Sequence, residues 1–278
     1  MEFITLKNEY IELTLCSIGA SIFRLVYNKE DMILSPTNEK DFFKEGIYYG
    51  KTVGRICGRI LIDNQVVLHG GPNGLSWQDF NYVKEDNKVV FTYLSKGDES
   101  SREGNLLVKV IYTLIDNTLK IETEITPDCP MMVYLTNHTF FCLGESSVNN
   151  LSLEMDSDIY TTYDEKLLPL KKEKVRDKFD FRKLSNVMTY GELDNYFILN
   201  NSGVLLQSNK YQLKLTTDYK GVHLYSDYFL DDVKTRLSKV DHHRALAIEP
   251  QDDKLEKQLL VPNKAVKRTT LYTFSKLG

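Results

Sequence analysis

A chain of 278 residues, 42% hydrophobic and 27% charged, carries enough apolar material for a sizeable core and has an ordinary globular composition. Its 35 basic and 39 acidic side chains leave a net charge of −4, so no cationic surplus exists to neutralise the phosphates of nucleic acid. No apolar run reaches the roughly 18 residues of a membrane span, and Met1–Lys7 lacks a basic segment followed by an apolar one. The expectation is a cytoplasmic protein that binds neither nucleic acid nor membrane.

Along the chain the recurring signal is period-two alternation, the mark of half-buried strands. Tyr10–Leu15 alternates first, and Asp41–Glu45 reads as a turn or two of helix. Leu106–Ile115 is the longest apolar run, interrupted by Lys109 and short enough to be a strand; Val108–Leu114 alternates within it. Thr118–Ile125 alternates next, and Asp116-Asn117 between the two suits a tight hairpin turn. Leu151–Met155, Gln212–Thr216, Val222–Tyr225 and Thr269–Phe274 behave similarly. Asp164–Lys183 is charge-rich and reads as a solvated loop, while Asp231–Leu237 reads as a second short helical turn. No linker, repeat or low-complexity tract divides the chain, so residues 1–278 are expected to form a single all-β domain of packed antiparallel sheets.

Several polar residues interrupt or end these apolar runs. Arg55 and Arg59 follow glycines in Gly54-Arg55 and Gly58-Arg59, and an arginine buried in an apolar strand needs a carboxylate or a polar ligand; either one fits. His69 in Leu68-His69-Gly70-Gly71 is either a turn histidine or a ligand-facing one, where paired glycines permit close backbone approach. His138, closing Leu135-Thr136-Asn137-His138, is either a hydrogen-bonded structural group or a proton carrier. Asp194 caps a turn or binds hydroxyls, and Glu249 in Ala247-Ile248-Glu249-Pro250-Gln251 is a salt-bridge carboxylate or a base. The four cysteines, Cys16, Cys57, Cys129 and Cys142, lack the spacing of a zinc site or a disulfide framework. His242-His243 is no metal pair either, since neighbours on a strand point to opposite faces; it reads as a solvated loop.

Taken in order, these segments resemble the aldose 1-epimerase (galactose mutarotase) family over nearly the whole chain. The motifs are Gly54-Arg55, Gly58-Arg59-Ile60, Leu68-His69-Gly70-Gly71 with Trp77 shortly after, Leu135 to Phe141, Asp194, and Ile248 to Gln251. There are departures. Gly58 replaces an asparagine, Pro250 a threonine, and Asn195 a histidine; the stretch from Arg59 to His69 is shortened; and Asp252-Asp253-Lys254 matches no family segment.

The resemblance implies a galactose-mutarotase-like β-sandwich (supersandwich) of antiparallel sheets with an open pocket on a concave face, interconverting the α and β anomers of an aldohexose. Glu249 is then the base, His138 the acid, and His69 a hydrogen-bonding group near the ring oxygen that orients the sugar; Arg59, Asp194, Asn137 and Trp77 are the expected sugar contacts. The same resemblance admits a mutarotase of a phosphorylated or acidic sugar, and a non-catalytic sugar-binding protein of this fold. The partner is a small-molecule sugar, and the chemistry needs no metal or organic cofactor, each step being a proton transfer between positioned groups. Activity is therefore expected to survive exhaustive dialysis against EDTA, and inactivation that zinc reverses would refute the cofactor-free reading.

Overall fold

The protein is described here from a computed structural model covering residues 1–97, 103–176, 178–201, 203–229, 231–237 and 239–278. The alternating stretches form strands Ile11–Cys16, Leu106–Ile115, Thr118–Pro127, Ser152–Met155, Tyr211–Thr217, Gly221–Tyr225 and Val266–Lys276. Asp116-Asn117 closes its hairpin in two residues, with Asp116 at φ 48° and Ile115 opposite Thr118. Among the described residues no helix is long and apolar enough to cross a membrane.

Two large antiparallel sheets carry the architecture. The first has nine strands in the order Ser185–Asn186, Ser152–Met155, Gly203–Gln207, Tyr211–Thr217, Val266–Lys276, Thr118–Pro127, Leu106–Ile115, Lys88–Ser95, Asn81–Lys84. The second has six, in the order Phe140–Phe141, Leu246–Gln251, Gly221–Tyr225, Asp194–Ile198, Ile159–Tyr163, Pro169–Lys174. Phe197, Val222, Leu224, Leu246 and Ile248 of the second belong to one buried cluster with Val110, Tyr112, Leu119, Leu213 and Phe274 of the first. In the inner strands of the six-stranded sheet alternate residues are thereby committed to the core, and the residues between them are left on its other face.

Two expectations fail. The charged run 164–183 contains the strand Pro169–Lys174, which pairs with Ile159–Tyr163 at the edge of the six-stranded sheet. An edge strand is solvated on most of its surface, so it needs no apolar alternation, and its lysines discourage further pairing. The segment 231–237 is not helical. The Asp231 side chain accepts the Val233 N–H at 2.8 Å, a local bond that competes with helix, and Thr235 bridges to Pro36. The other short helix exists, as a 3-10 turn Glu39–Phe43 capped by Asn38.

Among the described residues two cations, Arg244 and Lys51, are fully buried, and they are treated oppositely. Arg244 donates to Asp227 at 2.8 Å, to Asp231 at 2.7 Å and to the Val233 carbonyl at 3.0 Å. Lys51 has no hydrogen-bond partner for Nζ among the described residues; its ammonium rests 3.6 Å above the Trp77 ring and 5.0 Å from that of Phe42. Burial pulls its pKa down from 10.5 to about 7, against a small opposing effect of Cys16. Between about pH 7 and 10.5 the unfolded chain therefore holds a proton that the native protein lacks, so this residue makes stability rise with pH across that window. Lys51→Met should be the more stable protein at pH 7, with the gap closing by up to about 4 kcal/mol at pH 10. Urea midpoints at the two pH values measure this, and a gap independent of pH would refute it.

Candidate active site

The strand Leu246–Gln251 lies inside the six-stranded sheet, and all six of its residues are buried. Leu246 and Ile248 belong to the inter-sheet core, whereas Glu249 and Gln251 line a cleft of about 490 Å³ on the other face. Strand register sets the neighbours. His223 lies opposite Glu249 on one side, and Tyr196 lies opposite His223 on the next strand. On the other side Phe140 pairs with Ala247, so two residues back His138 comes level with Glu249. Paired side chains share a face, and His138 Nε2 is 3.3 Å from Glu249 Oε1. Among the described residues His138 Nδ1 has no partner, leaving Nε2 as the atom placed for exchange.

Asp194 sits one row further along, opposite Tyr225, and reaches diagonally to His223, Oδ1 to Nε2 at 2.8 Å. That contact assigns the His223 proton to Nε2, and Nδ1 is 3.3 Å from the Tyr163 hydroxyl. Tyr228 donates to Asp194 Oδ2 at 3.0 Å, and Arg59 stands 3.8 Å from the same oxygen. Burial alone would push the Asp194 carboxyl up, but the bonds from His223 and Tyr228 and the charge of Arg59 hold it below its usual value. It stays an acceptor.

The facing wall comes from the hairpin Arg59–Ile62 and Gln65–Leu68, turned by Asp63 and Asn64 at φ 47° and 63°. Two consecutive left-handed residues make the type I′ turn that lets a hairpin be this short. Below it the Gly58 carbonyl accepts from the His69 N–H at 2.9 Å, and the Gly58 N–H donates to His69 Nδ1 at 3.0 Å. Gly70 (φ 87°) folds the chain back against residue 54, where a Cβ would lie 2.2 Å from the Gly54 oxygen. Burial, then the fields of His138, Lys254, Arg59 and His223, lower the His69 pKa well below 6.5. The imidazole is neutral, with Nδ1 accepting, so its proton is on Nε2 and that nitrogen is a donor. The His69 and His138 rings stand 5.0 Å apart and nearly perpendicular, with Tyr48 4.6 Å from the former.

Glu249, His138, His69, Arg59 and Asp194 thus line one cleft, and two expected contacts do not. Asn137 faces away: its amide donates to the Gly50 carbonyl at 2.9 Å and approaches the Tyr112 hydroxyl at 3.3 Å, and its Oδ1 accepts from Thr139 at 2.5 Å. Adjacent extended residues point to opposite sides, so it cannot share a face with His138. Trp77 stands behind Tyr48, ring centroids 5.7 Å apart, against the Lys51 ammonium. Of the two arginines, Arg55 is buried on Ser95 and on the Gly104 carbonyl, the latter at 2.8 Å, and only Arg59 reaches the cleft. His223, Tyr163 and Lys254 line it unforeseen. The alternation of Val222-His223-Leu224-Tyr225 was a signal for His223; nothing comparable marked the other two. Among the described residues no group of three or more His, Cys, Asp or Glu is placed to hold a metal ion. His242 and His243 lie in a loop, as expected, each donating from Nδ1 to a backbone carbonyl, Tyr228 at 2.6 Å and Ser226 at 3.0 Å.

A buried carboxylate facing one histidine, a second histidine fixed as a donor, and a charged acceptor stand together on a sandwich of antiparallel sheets, a set of groups that can carry acid–base chemistry on a small polar ligand. The family model for aldose 1-epimerase matches residues 2–273, and the chain belongs to that family. It is 27% identical to an aldose 1-epimerase of Escherichia coli over 84% of this chain and 80% of that one. Identity to the galactose mutarotase of Homo sapiens is 26%, over 61% of this chain and 56% of that one. The fold is of the galactose-mutarotase type. A GalM/aldose epimerase homologue from C. elegans superposes with a TM-score of 0.89 at 28% identity, covering 100% of this chain and 99% of that one. A galactose 1-epimerase from Lactobacillus acidophilus gives 0.86 at 27%, covering 99% and 94%.

The His223–Asp194 contact carries its own expectation. His223→Phe removes the strongest influence holding the Asp194 carboxyl down and leaves the burial that pushes it up. The Asp194 pKa should rise, read by carboxyl-carbon NMR titration; an unchanged titration would mean that His223 does not hold this charge.

Proposed function

We propose that the protein is a mutarotase that interconverts the α and β anomers of an aldohexose. The observation that supports it most is the approach of Glu249 Oε1 to His138 Nε2 at 3.3 Å on a cleft wall, because ring opening needs a base and an acid acting on one substrate. Glu249 takes the proton of the C1 hydroxyl, the bond from C1 to the ring oxygen breaks, and its electron pair takes a proton from His138 Nε2. An open-chain aldehyde results. Rotation about C1–C2 presents the other carbonyl face, the ring oxygen attacks it, and both protons return, so no charge is gained or lost over the cycle.

The other residues bind. The His69 Nε2–H donates to a sugar oxygen, Asp194 accepts from hydroxyls, and Arg59 presents a planar fork of donors. The residues of the cleft can supply every proton the reaction needs. Galactose, named for several relatives, is the first sugar to test beside glucose.

Polarimetry on freshly dissolved α-glucose and α-galactose, with and without the protein, tests the reading; equilibration no faster than the buffer rate would end it. Glu249→Gln keeps the size but cannot accept the proton, so kcat should fall by roughly 10²–10⁴-fold with sugar binding little changed. His138→Asn should fall on the same scale. His69→Asn should weaken KM and kcat together, because its part is largely positional.

A further inference from the structure

Lys254 opens a 3-10 turn, Lys254–Glu256, whose cap Asp253 is buried and accepts the Leu255 N–H at 2.9 Å. The acids beside it are taken by other lysines: Asp253 by Lys172 at 2.5 Å, and Glu256 by Lys220. Among the described residues no carboxylate lies within ion-pair distance of the Lys254 ammonium, although it lines a cleft that six acids also line. Its one hydrogen bond among those residues goes to the Cys57 carbonyl at 3.0 Å. An ammonium has three N–H donors. Two are left.

What holds the ammonium there is a missing side chain. Gly58 has φ 65°, and a Cβ on it would sit 2.2 Å from Lys254 Nζ, so the lysine occupies the volume in which any other residue at 58 would begin. The same Gly58 N–H holds His69, and the lysine's charge is felt at that ring. The ammonium therefore stands beside the donor corner formed by Arg59 and His69.

We propose that Lys254 is a substrate-binding residue that determines specificity, donating to one oxygen of the bound aldose at the Gly58–His69 corner, with Gly58 kept bare to admit it. This rests on the mutarotase reading above. Aldoses that present an oxygen at that corner gain a charge-assisted hydrogen bond, and those that lack it do not. Lys254 takes no part in the proton transfers.

The test pairs a protein deletion with a ligand deletion. Lys254→Met should raise Kd and KM for the preferred aldose roughly 10- to 100-fold, with kcat nearly unchanged. Across 2-, 3-, 4- and 6-deoxy derivatives of that sugar, one should bind the variant and the native protein equally well, because it already lacks the contacted oxygen. Gly58→Ala, which displaces the ammonium, should weaken binding in the native background and add little in Lys254→Met. Unchanged affinity in Lys254→Met, or an equal loss for every deoxy sugar, would overturn the proposal. Kd from calorimetry is read separately from turnover, so a protein that binds the sugar without catalysing mutarotation would sink the catalytic reading and leave this one standing.

Discussion

The cleft depends on one costly placement, a carboxylate in a strand from which water is almost excluded. Glu249 is only 2% exposed, and taking a lone carboxylate out of water costs several kcal/mol unless other groups replace the solvent. The sheet supplies those groups through register. Because Phe140 pairs with Ala247 and His223 with Glu249, an imidazole comes level with the carboxylate on each side, at a separation the backbone ladder determines. The strand that burdens the fold with a buried charge also positions that charge without relying on a flexible loop.

Around this pair the electrostatics is divided by residue. His69 is kept neutral by burial and by the cations about it, so it serves as a donor of fixed direction across the physiological range. Asp194 is kept charged by His223 and Tyr228, so it serves as an acceptor. Two polar groups on one small cleft are driven to opposite hydrogen-bonding characters by their partners. A sugar offers hydroxyls that can both donate and accept, and such a surface suits it.

The strands were legible because alternation is a local property: Leu106–Ile115 and Thr118–Pro127 have to turn one face to the core, and their residues record it. Pro169–Lys174 was not, since a strand at a sheet edge is wet on most of its surface and its lysines resemble those of a loop. Of the residues that share the cleft, His69, His138 and Glu249 stood out as polar side chains ending apolar runs, Arg59 as an arginine opening one and Asp194 as a turn-capping acid. The choice between Arg55 and Arg59 was invisible, because it depends on which side of a hairpin base faces the cleft, a long-range matter. Asn137 is instructive in the other direction. It neighbours His138, and the alternation that identified the strands would have placed it on the far side. Lys254 ends a segment that matches no motif, and its place became apparent only from the space above Gly58.

The floor and the facing wall of the cleft differ in kind. Glu249, His223 and Asp194 stand on strands paired on both sides, with the nine-stranded sheet packed beneath them. Arg59 belongs to a two-stranded hairpin whose Leu61 and Val66 are exposed, and His69 follows that hairpin's second strand. In native-state hydrogen exchange the backbone of such a floor opens only with the whole molecule, while a small hairpin opens on its own at much lower free energy. The buried carboxylate of Glu249 and the His223–Asp194 contact are thus as durable as the fold itself, whereas Arg59 rests on the part that opens first.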